Sequence, residues 1–127
     1  MRAYTNLEQS RELAEILPIE SADMWWSKNF IYYNPTASIG IGTEYSDVYT
    51  YKFGEDDIPC WSLAALIDVL PLEVETHKQT DGHKIYYYVE SYMKRMDKEI
   101  YLSTELHENL VDACYEMIIK LHERKIL

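Results

Sequence analysis

Glycine and proline are scarce in this chain, four of each in 127 residues. The glycines are too few and too scattered to form the small-residue loop on which a phosphate rests. Cysteine is limited to Cys60 and Cys114, which read as reduced, structural thiols of a cytosolic protein. Cys114 falls on the apolar face of a predicted helix. Cys60 falls in the first turn of another, where the dipole can lower a thiol pKa, but no histidine is near it in sequence to act as a base. No apolar run approaches the roughly 18 residues that span a bilayer, and the start, MRAYTNLEQSREL, has no signal-peptide core. The sequence therefore leads us to expect a cytoplasmic protein with no membrane partner. Basic residues are also in deficit, 12 Lys and Arg against 22 Asp and Glu, for a net charge of −10. Without a basic stripe to follow a phosphate backbone, direct nucleic-acid binding is disfavoured. The GxSxG, HExxH and GxxxxGK[ST] signatures are all missing.

What is present is architecture. The stretch Asp56–Pro71, DDIPCWSLAALIDVLP, reads as a helix entered through the Gly54–Asp57 turn, with Asp57 as its cap and Pro59 in its first turn. Leu63, Leu66, Ile67 and Leu70 form its core-facing stripe. Its stop, LIDVLPLE, nearly repeats LAEILPIE at residues 13–20. That earlier segment closes a first helix over Thr5–Leu17, opened by a Thr5/Glu8 capping box and ended by Pro18. Leu7, Leu13, Ala14 and Leu17 lie on its apolar side. Ser21–Trp26 reads as a short helical turn, Phe30–Tyr33 as a strand and Thr36–Thr43 as a loop.

Asp47–Phe53 alternates as a strand. Residues 72–82 are polar, with Asp81-Gly82 as a turn signal. His83–Met93 is a long strand with Ile85, Tyr87, Val89 and Met93 on one face and Tyr86, Tyr88, Glu90 and Tyr92 on the other. Arg95–Lys98 turns it back into Glu99–Leu102. The last helix, Thr104–Arg124, carries Leu106, Leu110, Ala113, Cys114, Met117, Ile118 and Leu121 as one stripe. Val111, Tyr115 and Ile119 add a second row, wider than a surface helix needs. Either this helix is central or the second row meets another subunit. The order α-β-β-α-β-β-α, without a repeated βαβ crossover, predicts one α+β domain over residues 1–127: a small antiparallel sheet of three to four strands against three main helices.

Chemistry is harder to find. The four histidines, 77, 83, 107 and 122, match no metal-ligand spacing with Glu73 or Glu75, so no metal or cofactor is expected. Asp56-Asp57 and Glu73/Glu75 share the same water, whereas acid/base work needs two carboxyls in different environments. The compositional excess is aromatic: twelve tyrosines and three tryptophans. If Asp47–Phe53 and His83–Met93 share a sheet, Tyr49, Tyr51, Tyr86, Tyr88 and Tyr92 line one face with Phe53, and Tyr101 joins from the hairpin. That face is either a binding surface or internal stabilisation by cross-strand aromatic pairs. The adjacent Trp25 and Trp26 point in different directions, so one can anchor the core while the other meets a partner, with Trp61 packing nearby.

The set TNLEQSRELAEILPIESADMWW, IPCWSLAALIDVLP and LVDACYEMIIKLHERKIL resembles a family of small proteins of Bacteroidetes chromosomes and their prophages or mobile elements. The resemblance implies an accessory or host-interaction role and brings no catalytic residues with it. The expectation is a non-enzymatic module that binds another protein through Trp25, Trp26, Tyr86, Tyr88 and Tyr92, with a possible homodimer through Val111, Tyr115 and Ile119. The alternatives are an acidic nucleic-acid mimic and a small enzyme built on Asp81, His83 and nearby carboxylates.

Overall fold

A computed structural model describes residues 2–27, 30–33, 38–40, 50–52 and 57–127. The fold is α+β: the described residues form three α-helices and, besides one short parallel strand pair, two three-stranded antiparallel sheets. It divides into two compact units, Tyr4–Ala65 and Leu66–Leu127 with the first three residues.

In the first unit, α1 covers Leu7–Ala14. Its cap is one residue later than the sequence suggests. Asn6 accepts from the Gln9 amide, and the Gln9 side chain accepts from the Asn6 amide. Thr5 is thereby freed to pair with a distant segment. Its amide donates to Trp61 O at 3.0 Å, and its hydroxyl accepts from Trp61 N at 3.2 Å. Leu13 and Leu17 are buried as expected, but Ala14 is exposed and Ser10 takes the buried place.

Ile19–Ser21 is a single 3-10 turn, and β1 (Met24–Ser27) follows at once. The helical reading of Ser21–Trp26 is therefore corrected, in line with the strand preference of bulky aromatics. β1 lies between β2 (Phe30–Tyr33) and β5 (Asp57–Cys60), antiparallel to both. The helix expected from Asp56 is thus a strand over its first part. Pro59 is tolerated because β5 is an edge strand, where a missing N–H costs no ladder bond. The cap is Ser62, whose Oγ accepts from Ala65 N at 3.1 Å, and α2 covers Leu63–Val69. Leu66 is buried, but Ile67 is 46% exposed.

β3 (Ser38–Gly40), within the expected loop, pairs in parallel with β4 (Thr50–Lys52). Among the described residues β4 pairs with β3 and not with the long tyrosine strand, so the shared aromatic face including Tyr51 is corrected. Tyr49 and Phe53 lie outside the described residues.

The second unit is a meander, β6 (Val74–Thr80), β7 (Ile85–Arg95) and β8 (Lys98–Ser103), covered on one face by α3 (Leu110–Glu123). The polar segment 72–82 conceals β6, because an edge strand needs little apolar content to hold its place. The Asp81-Gly82 turn is as expected: Asp81 Oδ1 accepts from the amides of His83 and Lys84, and Gly82 takes φ +95°. The second turn places Met96 and Asp97 at φ +50° and +64°, the backbone twist a two-residue hairpin prefers.

Val89, Ser91, Met93 and Leu102 face inward, and Ala113, Cys114, Met117, Ile118 and Leu121 of α3 are buried. α3 begins later than Thr104 because Thr104 continues the sheet. Its amide donates to Val89 O at 2.9 Å and its hydroxyl accepts from Val89 N at 3.0 Å. Asn109 then caps the helix, which leaves Leu106 off the stripe and 49% exposed.

Candidate functional site: the outer face of the second sheet

Because side chains alternate along a strand, burying Val89, Ser91 and Met93 turns Tyr86, Tyr88, Glu90 and Tyr92 outward. The register then fixes their neighbours. Tyr88 stands opposite His77, Glu90 opposite both Glu75 and Ser103, and Tyr92 opposite Tyr101. Tyr92 is 58% exposed and Tyr101 60%. Together with Leu72, Glu73, Glu75 and Glu90 they line a shallow recess of about 360 Å³.

Most of these groups are held in place by one another. Tyr101 Oη donates to Glu90 Oε2 at 2.9 Å, and the His77 ring stacks on Tyr88 with centroids 4.7 Å apart and planes 13° from parallel. His77 Nε2 lies 2.7 Å from Glu90 Oε1 and 3.4 Å from Glu75 Oε2. The ring nitrogen therefore has two carboxylate neighbours at ion-pair distance but no contact that meets hydrogen-bond geometry. Glu73 pairs with Arg95 at 2.7 Å, and the hydrogen bond from that guanidinium holds the Glu73 carboxyl below its usual range. The phenols shift upward: Tyr92 through its bond to Glu99, and Tyr101 through its bond to Glu90. The face is thus a row of neutral aromatic rings among carboxylates, a surface suited to cations.

Of the residues singled out by sequence, Tyr86, Tyr88 and Tyr92 share this face, and Tyr101 belongs with them. Trp25 and Trp26 lie in the other unit. Trp25 is buried in β1, while Trp26 is half-buried with Tyr4 edge-on to it at 6.1 Å. Trp61 is fully buried and donates from its indole to Ser21 Oγ at 2.9 Å. On α3, Val111 is fully buried, and Tyr115 and Ile119 are half-buried. Asp81 and His83, the proposed enzyme pair, build a turn: the acceptor oxygen of Asp81 is occupied by backbone amides, and His83 is exposed.

The sequence places His77 near Glu75 but leaves Glu90 apart from both. Glu75 and His77 are two apart on one strand, so they share a face. Glu90 joins them only through the hairpin register. The Glu-x-His alternation is a legible signal, but it becomes one only once residues 74–80 are known to be a strand.

Compared with protein-family models, with curated proteins and with solved structures, the chain matches none. The chemistry of the site therefore carries the functional reading.

Proposed function

We propose that the protein is a non-enzymatic binding module whose outer sheet face takes up a lysine- or arginine-bearing segment of another protein. The observation that carries this reading is the Tyr92–Tyr101 cross-strand pair, more than half exposed on both sides, beside Glu73, Glu75 and Glu90. A solvent-exposed tyrosine pair offers a partner a large rigid contact area with polar tips. The carboxylates beside it favour a cation, which tyrosine rings also attract through their faces. The net charge of −10 adds long-range attraction for a basic partner. Tyr86 and Tyr88 continue the same face. An accessory role of mobile-element type, implied by the family resemblance, suits such a module acting in the cytoplasm.

The test is fluorescence anisotropy of labelled oligolysine and oligoarginine peptides with the full chain. Binding should weaken as salt rises. Tyr92→Ala and Tyr101→Ala should each lower affinity about 5- to 30-fold, the equivalent of roughly 1–2 kcal/mol for a desolvated cation on an aromatic face. No binding at low salt would overturn the reading. So would binding that responds to salt but ignores both tyrosines, a result that favours the acidic nucleic-acid mimic instead.

A further inference from the structure

We infer that Glu75, His77 and Glu90 form a site for a divalent transition-metal ion, with Zn²⁺ the best match. The site goes beyond the basic-partner reading and does not depend on it.

Geometry is the first ground. Donors bound about 2.0–2.1 Å from one tetrahedral ion stand about 3.3 Å from each other. The candidate donor atoms are already close to that spacing. Nε2 of His77 is 2.7 Å from Glu90 Oε1 and 3.4 Å from Glu75 Oε2, and all three donors lie within 4.8 Å of one another. A small movement of the carboxylates would admit an ion without moving a strand.

Electrostatics is the second and independent ground. Glu75 and Glu90 are directly opposed in the ladder, and like charges in that relationship destabilise a sheet. No lysine or arginine of the described residues is paired with either carboxylate; Arg95 is bound to Glu73 and Lys84 to Glu108. The one cationic candidate at the pair is His77, and its Nε2 is buried without an aligned hydrogen bond. A divalent ion would neutralise both carboxylates and bind the His77 nitrogen that already stands between them.

The surroundings have the form of a supporting shell. Tyr101 binds the second oxygen of Glu90 and leaves Oε1 for the ion. Stacking on Tyr88 fixes the His77 ring. Such outer contacts orient ligands and typically change metal affinity 10- to 100-fold. One imidazole with two carboxylates is a mixed nitrogen and oxygen set, which suits Zn²⁺, Co²⁺ or Mn²⁺ better than an all-oxygen ion such as Ca²⁺. Glu75 is 71% exposed, so the remaining coordination positions face solvent and can hold water or a donor from a partner.

The experiment is equilibrium dialysis of the untagged, chelator-stripped full chain against Zn²⁺, with bound metal counted by mass spectrometry, repeated with Co²⁺ to read its visible absorption. The expected result is one ion per chain, with affinity reduced at least about tenfold in His77→Gln and in Glu90→Gln, and unchanged in the control Glu123→Gln on α3, the helix that covers the other face of the sheet. Tyr101→Phe keeps all three ligands and should still lower affinity severalfold, a loss that a diffuse acidic surface would not show. A nitrogen NMR shift of the His77 ring on adding Zn²⁺ reads the same contact without any mutation. The site is overturned if less than one ion binds, if His77→Gln binds as well as the parent, or if the His77 ring does not respond. Tyr92→Ala separates the two readings, because it removes an aromatic wall of the recess and no metal ligand.

Discussion

Thr5 and Trp61 are joined twice, amide to carbonyl at 3.0 Å and hydroxyl to amide at 3.2 Å, across 56 residues of sequence. The same hydroxyl is 2.7 Å from Ser10 Oγ and 3.4 Å from Cys60 Sγ. Thr5 is completely buried, so the Trp61 amide that its hydroxyl accepts from has no water to turn to. Thr5→Val keeps the shape and deletes the hydroxyl, stranding the Trp61 amide. The expected loss is about 1–3 kcal/mol in urea unfolding. A loss below about 0.5 kcal/mol, the lower end of a net hydrogen bond, would contradict the role assigned to this residue.

Acid should loosen the first hairpin of the second unit. The Asp81 carboxyl is held below its ordinary value, first by the Lys84 amide and then by that of His83. A carboxylate depressed in the fold contributes stability that is present above its unfolded pKa of about 3.9 and lost as pH falls through the lower folded value. NMR titration should therefore find Asp81 titrating below ordinary aspartate. Asp81→Asn keeps an oxygen acceptor and should abolish this acid-dependent step, whereas Asp81→Ala should speed amide exchange at His83 and Lys84 at every pH.

Both thiols should be inert in the native protein. Burial pushes Cys114 up to about 12. Burial is also the largest influence raising Cys60, which donates weakly to Thr5 O at 3.4 Å. The helix-dipole activation of Cys60 considered from sequence does not apply, because the residue ends a strand. At pH 8, a disulfide reagent should label neither cysteine until denaturant is added, since the thiolate is the reactive form. Rapid labelling of either one in buffer would show that its environment opens.

Gly82 offers a separate probe of the hairpin that Asp81 opens. It has φ +95° with no atom within 4 Å of where a Cβ would lie, so Gly82→Ala meets backbone strain alone. About 1 kcal/mol of destabilisation is expected, and calorimetry of the two proteins measures it.

Rules acting between near neighbours account for one part of this fold. The α+β class, the last helix with its buried stripe, the long tyrosine strand, and the turns at Asp81-Gly82 and Arg95–Lys98 rest on periodicity and turn chemistry, and all are legible in the sequence. The helix starts are less so, because several residues could serve as caps. Thr5, Asp57 and Thr104 all have suitable side chains, but each lies beside or within pairing backbone, and Asn6, Ser62 and Asn109 cap instead. Long-range pairing settled the remainder. Pro59 lies in a strand because that strand is an edge, and the polar segment after Leu72 holds a strand because β7 offers it a full ladder. The site is of the same kind. Glu75 and His77 are brought to Glu90 by a hairpin register, a relation between residues 13 to 15 apart that no spacing along the chain encodes. Periodicity assigns a residue to a face; only pairing between strands decides which other residues share it.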